Sequence, residues 1–365
     1  MTDIIVLPGD GIGPEITAEA VECLEILSKE RDLGLRFTEH DFGGVAIDRH
    51  GVPFPEATLD ACRKSDAVLL GAVGGERWDD APARPEDGLL RLRKELELFA
   101  NLRPARVYRG LEHASPLRAD ISKGADVLVV RELTGGIYFG ERETSADRAS
   151  DLCAYTTAEI ERVAHVAFRA ARMRRRKVTS VDKANVLATS KLWRQTVNRV
   201  AAQYPAVELD HMYVDACAMT LVTNPRRFDV ILTENLFGDI LSDELSVISG
   251  SIGLLGSASV GDGGPGVFEP VHGSAPQMAG LDIANPAGAI ASAALMLEEI
   301  DHPECGAILT TALERTLAEG VRTADLGGSA SCSEFGARVR ENLRAELVRC
   351  DAHFELIAMN RGCCG

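Results

Sequence analysis

Ile4-Ile-Val-Leu7-Pro-Gly9-Asp-Gly11-Ile-Gly13-Pro14-Glu15 joins an apolar run to a glycine-rich turn, then to a proline and an acid. Residues 4–7 read as a short buried strand. Ile16, Ala20, Leu24 and Leu27 follow at the spacing of one helical face. Pro14 suits a first helical position, and Glu15 complements the positive end of the helix dipole. The strand–turn–helix unit then repeats in kind, though not in sequence. Further strands are predicted at 66–73 (running into Gly74-Gly75), 125–130, 178–181, 207–214 and 228–232. Helices are predicted over 156–174, 188–202, 236–250, 286–300, 304–319 and 332–350. Such alternation predicts an α/β protein with largely parallel strands flanked by helices. No internal repeat interrupts it.

The opening turn invites a phosphate-binding reading, because glycines let backbone N–H groups approach an anion at a helix N-terminus. The dinucleotide fingerprint, however, needs a third glycine where Pro14 stands, so the Rossmann pattern fails here. Taken alone, the loop reads as a tight turn.

At 365 residues, 45% hydrophobic and 26% charged, the chain is long enough for two lobes with real cores. No apolar run approaches the roughly 20 residues of a membrane-spanning helix. The first residues lack a basic leader and cleavage site, which leads us to expect a cytoplasmic protein. With 39 basic against 55 acidic residues the net charge is −16, which argues against nucleic-acid or anionic-membrane partners. A basic run from Arg172 to Lys177 sits at a predicted helix C-terminus, where a solvated helix end is expected. Nine cysteines show neither paired nor metal-ligand spacing, so reduced and mostly buried thiols are expected. Cys363 and Cys364 read as exposed thiols on a frayed tail.

Several side chains stand where chemistry is done. Asp239 and Asp243 are four apart on a predicted helix, which puts both carboxylates on one face. A solvated acidic turn would look the same, but Leu236, Phe237, Ile240, Leu241 and Leu245 imply a packed helix. Asp215 ends the predicted strand at 207–214. Three carboxylates without nearby Cys or His suit a hard cation, Mg²⁺ or Mn²⁺. Lys183 ends a buried strand in a chain with only seven lysines. It is either ion-paired structure or a proton-transfer group. Arg93, Arg103 and Arg131 lead out of apolar segments and are either surface arginines or a clamp for two carboxylates. Tyr138 is a core tyrosine or a phenolic proton donor.

Seven ordered segments carry a resemblance: Leu7–Glu15, Leu89-Leu-Arg-Leu-Arg-Lys94, Leu98-Phe-Ala-Asn-Leu-Arg-Pro104, Arg131-Glu-Leu-Thr-Gly-Gly-Ile-Tyr138, Val181-Asp-Lys-Ala-Asn-Val186, Asn235-Leu-Phe-Gly-Asp-Ile-Leu-Ser-Asp243 and Glu269-Pro-Val-His-Gly-Ser-Ala-Pro276. From residue 4 to about 340 the chain resembles the β-decarboxylating dehydrogenase family of isocitrate- and isopropylmalate-oxidising enzymes. The resemblance implies a two-lobed fold with central mixed or parallel sheets, distinct from the Rossmann fold. Residues 1–98 with 251–365 would form the cofactor lobe, and 99–250 the dimerisation and substrate/metal lobe.

It further implies that Arg93, Arg103 and Arg131 hold the malate carboxylates. Asp215, Asp239 and Asp243 would ligate Mg²⁺ or Mn²⁺, and Lys183 and Asp215 would reach into the partner's cleft of a homodimer. Lys183, with Asp215, would be the general base and Tyr138 the acid. NAD would contact Ile12, Gly74, Gly75, His272, Gly273, Ser274, Ala275, Pro276, Gln277 and Asn285. The implied reaction is NAD-dependent oxidative decarboxylation of a 3-alkylmalate, 3-isopropylmalate to 4-methyl-2-oxopentanoate and CO₂, in leucine biosynthesis.

Glu86, Leu89 and Leu90 stand at the specificity position. Two leucines offer an apolar pocket where isocitrate-oxidising relatives present polar groups. A related alkylmalate, tartrate or homoisocitrate remains the alternative substrate, because pocket differences of one methylene are worth only about 1–3 kcal/mol. A non-catalytic regulatory homologue should have lost an arginine, Lys183 or a metal aspartate, and none is missing. A Mg²⁺-dependent phosphate-transfer enzyme would need a Walker lysine that the glycine turn lacks. Gln277 stands where NAD-preferring members usually carry an Asp, so weaker discrimination against NADP is expected.

Overall fold

The computed structural model describes the backbone of residues 1–362 and the side chains of residues 1–351, so Cys363 and Cys364 lie outside the described residues. The first elements are β1 (Thr2–Gly9), α1 (Gly13–Glu30), β2 (Leu35–Glu39), α2 (Gly44–His50), α3 (Glu56–Lys64), β3 (Ala67–Ala72) and α4 (Pro85–Glu95). There follow β4 (Ala100–Arg106), α5 (Ala119–Ser122), β5 (Asp126–Glu132), β6 (Arg142–Thr144), β7 (Ala149–Asp151), α6 (Thr157–Met173) and β8 (Lys177–Asp182). Next come α7 (Ala188–Ala201), β9 (Glu208–Tyr213), α8 (Val214–Thr223), β10 (Val230–Thr233), α9 (Asn235–Ile248) and β11 (Gly256–Val260). The last are β12 (Gly266–Pro270), α10 (Ala287–Glu299), α11 (Pro303–Ala318) and α12 (Cys332–Gly362). The chain forms two compact units, Met1–Leu89 with Val267 onward, and Leu90–Gly266.

In the first unit the strand order is β2-β1-β3-β12, with β1 parallel to both β2 and β3. Ile4, Leu7, Ile16, Leu24, Leu27, Phe268, Ile290 and Phe335 are fully buried, as strands covered by helices require. The glycine turn between β1 and α1 is spent on packing. The backbone N–H of Ile12 donates to the Ser274 carbonyl at 2.8 Å, and that of Asp10 to the Ala72 carbonyl at 2.8 Å. Gly11 has φ +59°, and a Cβ there would lie 2.0 Å from the Ser274 oxygen. Asp10 itself is buried, and its carboxylate accepts from the N–H groups of Gly44, Val45 and Gly74 at 2.8–2.9 Å.

In the second unit the order is β11-β4-β5-β10-β8-β9. β4 runs antiparallel to β11 and β5, while β5, β10, β8 and β9 are mutually parallel. Both units are thus α/β, with β1, β2 and β3 parallel in the first and a mixed sheet in the second, helices lying alongside. α6 starts with a reciprocal cap: Glu159 N–H donates to Thr156 Oγ1, and Thr156 N–H to Glu159 Oε2.

Three expectations are corrected. The predicted strand at 207–214 ends at Tyr213, and Asp215 lies in the first turn of α8, where Ala, Met and Leu favour helix and an acid favours the start. Ile240 on α9 is 57% exposed, as is Val247, so that helix is not wholly packed and turns apolar positions outward. Arg174 is no solvated helix end: its Nε donates to Asp229 at 2.9 Å and its Nη2 to Asp126 at 2.7 Å. β4 was not foreseen, because Pro104 disguises it; Pro104 falls past Leu102, the last residue paired with β11.

The seven described cysteines are free, five of them buried, and burial pushes the thiols of Cys23, Cys62, Cys217 and Cys332 up to about 12. Among the described residues no helix is long and apolar enough to cross a membrane.

Gly11→Ala should lower the thermal midpoint by at least about 2 °C, since the left-handed backbone alone costs about 1 kcal/mol before the clash with Ser274. An unchanged midpoint in differential scanning calorimetry would contradict the packing role assigned to this turn.

Candidate active site

In the second unit, β4 and β5 form an antiparallel ribbon in which Asn101 stands opposite Arg131. Asn101 and Arg103 are two apart on β4 and so share a face. α9 lies against both strands. Its first turn is capped by Glu234, whose Oε1 accepts the Phe237 N–H at 3.2 Å. From there Asn235, Asp239, Ser242 and Asp243 recur at three- and four-residue spacing along one side of the helix. Gly238 makes room for the crossing arginine, because a Cβ there would sit 2.7 Å from Arg131 Cγ.

The Arg131 side chain is 6% exposed. Its Nε and Nη2 donate to Asn235 Oδ1 at 3.0 and 2.8 Å, and its Nη1 bonds Asp239. Burial, and then the positive charge of Arg103, draw its pKa down to about 10 against the pull of Asp239, with Arg93 adding to the lowering. It stays charged at neutral pH. Arg103 donates from Nε to Asn101 Oδ1 at 2.7 Å and from Nη1 to Ser242 Oγ at 2.7 Å. The same Nη1 lies 3.4 Å from Asp243 and 3.8 Å from Asp239, so the two carboxylates converge on one cationic nitrogen. Tyr138, on a short turn after β5, donates its hydroxyl to Asp239 Oδ2 at 3.0 Å. Burial, then this carboxylate, raise the phenol above the ordinary tyrosine value.

A second cluster forms at the ends of β8 and β9, whose register sets Asp182 beside Tyr213. Lys183 follows β8 and donates Nζ to Asp215 Oδ1 at 2.5 Å. Its backbone N–H is fixed by Ser190 Oγ at 3.0 Å. The ammonium holds the Asp215 carboxyl below its usual value. Among the described residues no three His, Cys, Asp or Glu side chains meet where a metal ion could sit. Within one chain Asp215 therefore does not join Asp239 and Asp243.

The expected cofactor residues belong to the first unit. Ile12 is buried against Ser274. Gly74 and Gly75 have φ +106° and +156°, a stretch only glycine adopts freely. Ser274 Oγ donates to the Gly74 carbonyl at 2.8 Å, tying this loop to the segment from His272 to Pro276. His272 places Nδ1 2.9 Å from the Gly273 carbonyl, while its buried Nε2 has no partner. Burial holds this imidazole below its ordinary pKa, so it is neutral. Gln277 is exposed on the turn Pro276–Met278, which Ala275 enters at φ +37°. Asn285 spends its amide on Asp325 and on the Ala287 N–H. On α4, Leu90 is 47% exposed, Leu89 half-buried, and Glu86 extends Oε1 toward Gly74.

The structure thus assembles Arg103, Arg131, Tyr138, Asp239 and Asp243, with Arg93 near enough to perturb Arg131, and pairs Lys183 with Asp215. Sequence reasoning missed Asn101, Asn235, Ser242 and Asp10. Asp10, a carboxylate inside a glycine-rich turn, carried a signal, whereas Asn101, Asn235 and Ser242 lie in elements with several other polar residues and carried none.

The profile described as isocitrate/isopropylmalate dehydrogenase matches residues 3–339. A 3-isopropylmalate dehydrogenase of Staphylococcus saprophyticus is 53% identical over 342 residues, 93% of this chain and 99% of that protein. One from Wolinella succinogenes is 54% identical over 340 residues, 92% and 93% of the two chains. Among solved structures, an isocitrate dehydrogenase from Methylococcus capsulatus superposes with TM-score 0.82 at 34% identity, covering 94% of this chain and 100% of that one. A β-decarboxylating dehydrogenase from Thermococcus kodakarensis gives 0.81 at 38%, covering 94% and 97%.

The Tyr138 phenol should ionise above the free tyrosine value of about 10. A difference titration of phenolate absorbance between the parent and Tyr138→Phe measures it. A Tyr138 transition below that value would contradict the contact with Asp239.

Proposed function

The chain belongs to the isocitrate/isopropylmalate dehydrogenase family, and on that premise we propose that it oxidatively decarboxylates 3-isopropylmalate to 4-methyl-2-oxopentanoate and CO₂, the oxidation step of leucine biosynthesis. NAD is the proposed acceptor and Mg²⁺ or Mn²⁺ the metal. The observation that carries this reading is the convergence of two arginines, a tyrosine and two aspartates on one face of β4, β5 and α9.

The residues fit both the metal and the cofactor. Asp239 and Asp243 already share one cationic nitrogen, and an all-carboxylate donor set suits a hard divalent ion, completed by Asp215 of a second copy. The unpartnered Nε2 of His272 and the glycine pair at 74–75 suit a ligand lying along that part of the first unit. When bound, the metal would supply Lewis acidity toward substrate oxygens and NAD the hydride-accepting capacity for oxidation at C2.

The chain's own residues do the rest. Arg131 and Arg103, with Arg93, hold the two carboxylates and orient the C2 hydroxyl. Lys183, having first released a proton to solvent, takes the hydroxyl proton as the neutral amine, directly or relayed by Asp215 or a water, as C2 is oxidised. Loss of CO₂ leaves an enolate, whose carbon receives a proton from Tyr138; its raised pKa keeps that proton in place at neutral pH. Leu90, in the same unit as the arginines and 47% exposed, would offer apolar surface to the isopropyl group, worth about 0.8 kcal/mol per buried carbon.

The proposed homodimer with shared sites is supported by the pairing of Lys183 with Asp215 apart from Asp239 and Asp243 among the described residues. Met219 and Val222 on α8 and Ile240 and Val247 on α9 are exposed apolar residues suited to a second copy.

Purified protein given 3-isopropylmalate, NAD and Mg²⁺ should form NADH and CO₂ in equal amounts, with higher kcat/KM than for isocitrate, tartrate or longer alkylmalates, and with NAD preferred to NADP. Lys183→Met should lose turnover by about a hundredfold or more while still binding NAD. Near-normal turnover in that variant would remove Lys183 from proton transfer, and a higher kcat/KM for isocitrate would overturn the assigned substrate.

A further inference from the structure

Both arginines that bridge toward the aspartates are gripped from behind by an uncharged oxygen. Arg131 gives Nε and Nη2 to Asn235 Oδ1, and Arg103 gives Nε to Asn101 Oδ1. The two asparagines are almost wholly buried. Their amide orientation is fixed by the other end: Asn235 Nδ2 donates to the Gly135 carbonyl at 3.2 Å, and Asn101 Nδ2 to Ser259 Oγ at 3.1 Å. The backbone N–H of Asn235 donates in turn to Tyr155 OH at 3.0 Å. These contacts place an acceptor, and not an NH₂ group, against each guanidinium.

A carboxylate in the same place would bind an arginine more tightly than an amide does. It would also cancel part of the positive charge that a substrate carboxylate must meet, in a site where charges are poorly screened by water. We propose that Asn101 and Asn235 are positioning residues for substrate: they fix the Nε edges of Arg103 and Arg131 without adding a further negative charge to those of Asp239 and Asp243, so that positive charge is kept for a dicarboxylate. The inference rests on reading those arginines as carboxylate ligands. It assigns the asparagines no contact with the reacting atoms. They act through the arginines, and Gly238 shares in this by letting Arg131 lie flat against α9.

The test replaces neutral by charged at nearly constant shape. Asn235→Asp and Asn101→Asp are each assayed with 3-isopropylmalate, and malate is used as a binding probe by calorimetry in the presence of Mg²⁺ and NADH. Expected are malate affinity and substrate KM worse by about tenfold or more, with kcat and the KM for NAD within about threefold of the parent, in variants that remain folded. Loss of the donors to Gly135 and Ser259 lowers the midpoint whatever the role, so a purely structural asparagine is recognised by malate affinity and KM that stay near the parent's. Should one variant fail to fold, the other asks the same question at the second arginine.

A parent that oxidises 3-isopropylmalate, with folded variants that bind malate within about twofold of it, overturns the inference and leaves the proposed reaction standing. A parent that does not oxidise 3-isopropylmalate, with variants that still lose malate affinity, does the opposite. A parent that binds no malate overturns the inference outright.

Discussion

Arg131 carries a full charge into the interior, and much of the second unit is arranged around that fact. An unaccompanied buried charge costs several kcal/mol, so the guanidinium must be surrounded by oriented oxygens. β5 delivers the residue at its end, α9 starts where Asn235 can meet it, and Gly238 clears the path. Asp239 closes the ring on one side, and Tyr138 bonds that aspartate from the other. The same four-residue step that brings Asn235 and Asp239 to one face brings Asp243 and Ser242 toward Arg103. One helix therefore aligns both arginines and both carboxylates, and its register sets the geometry of the proposed chemistry.

The first unit solves a different problem. Its opening turn has the glycines of a phosphate cradle but uses them against its own chain, with Gly11 pressed on the Ser274 carbonyl. The carboxylate of Asp10 then gathers three N–H groups from α2 and from Gly74. A bound anion and a buried aspartate compete for the same kind of donor, and here the aspartate has them. The loop at 74–75 and the segment from His272 onward, tied together by Ser274, are where the proposed NAD would lie.

Much of this was legible in the residues. The strands at 4–7, 66–73, 125–130, 178–181 and 228–232 announce themselves by continuous apolar runs, and the helices by their 3.6-residue period. What escaped has a physical reason in each case. β4 carries polar residues and Pro104 because one of its faces is the arginine site and its end is unpaired by β11, so it reads as loop. Asp215 was placed on a strand because Met212-Tyr213-Val214 is as suited to extended chain as to a helix start, and the turn from β9 into α8 carries no glycine or proline. Charge and spacing made Arg103, Arg131, Asp239 and Asp243 candidates, and the family resemblance singled them out. Asn101 and Asn235 were not found, since a neutral amide gives no such signal until its neighbours are known.

Within one chain Lys183 and Asp215 stand as their own pair, and no third carboxylate joins Asp239 and Asp243 among the described residues. The account therefore requires that two copies complete each other's sites, as closed two-fold symmetry allows. Co-refolding Lys183→Met with Asp243→Ala, each inactive alone, measures this most directly. Statistical hybrids in which one site per dimer regains a full set of residues should recover about one quarter of the parent's activity. A mixture that stays as inactive as its separate components would show that each chain works alone, and would contradict the shared site.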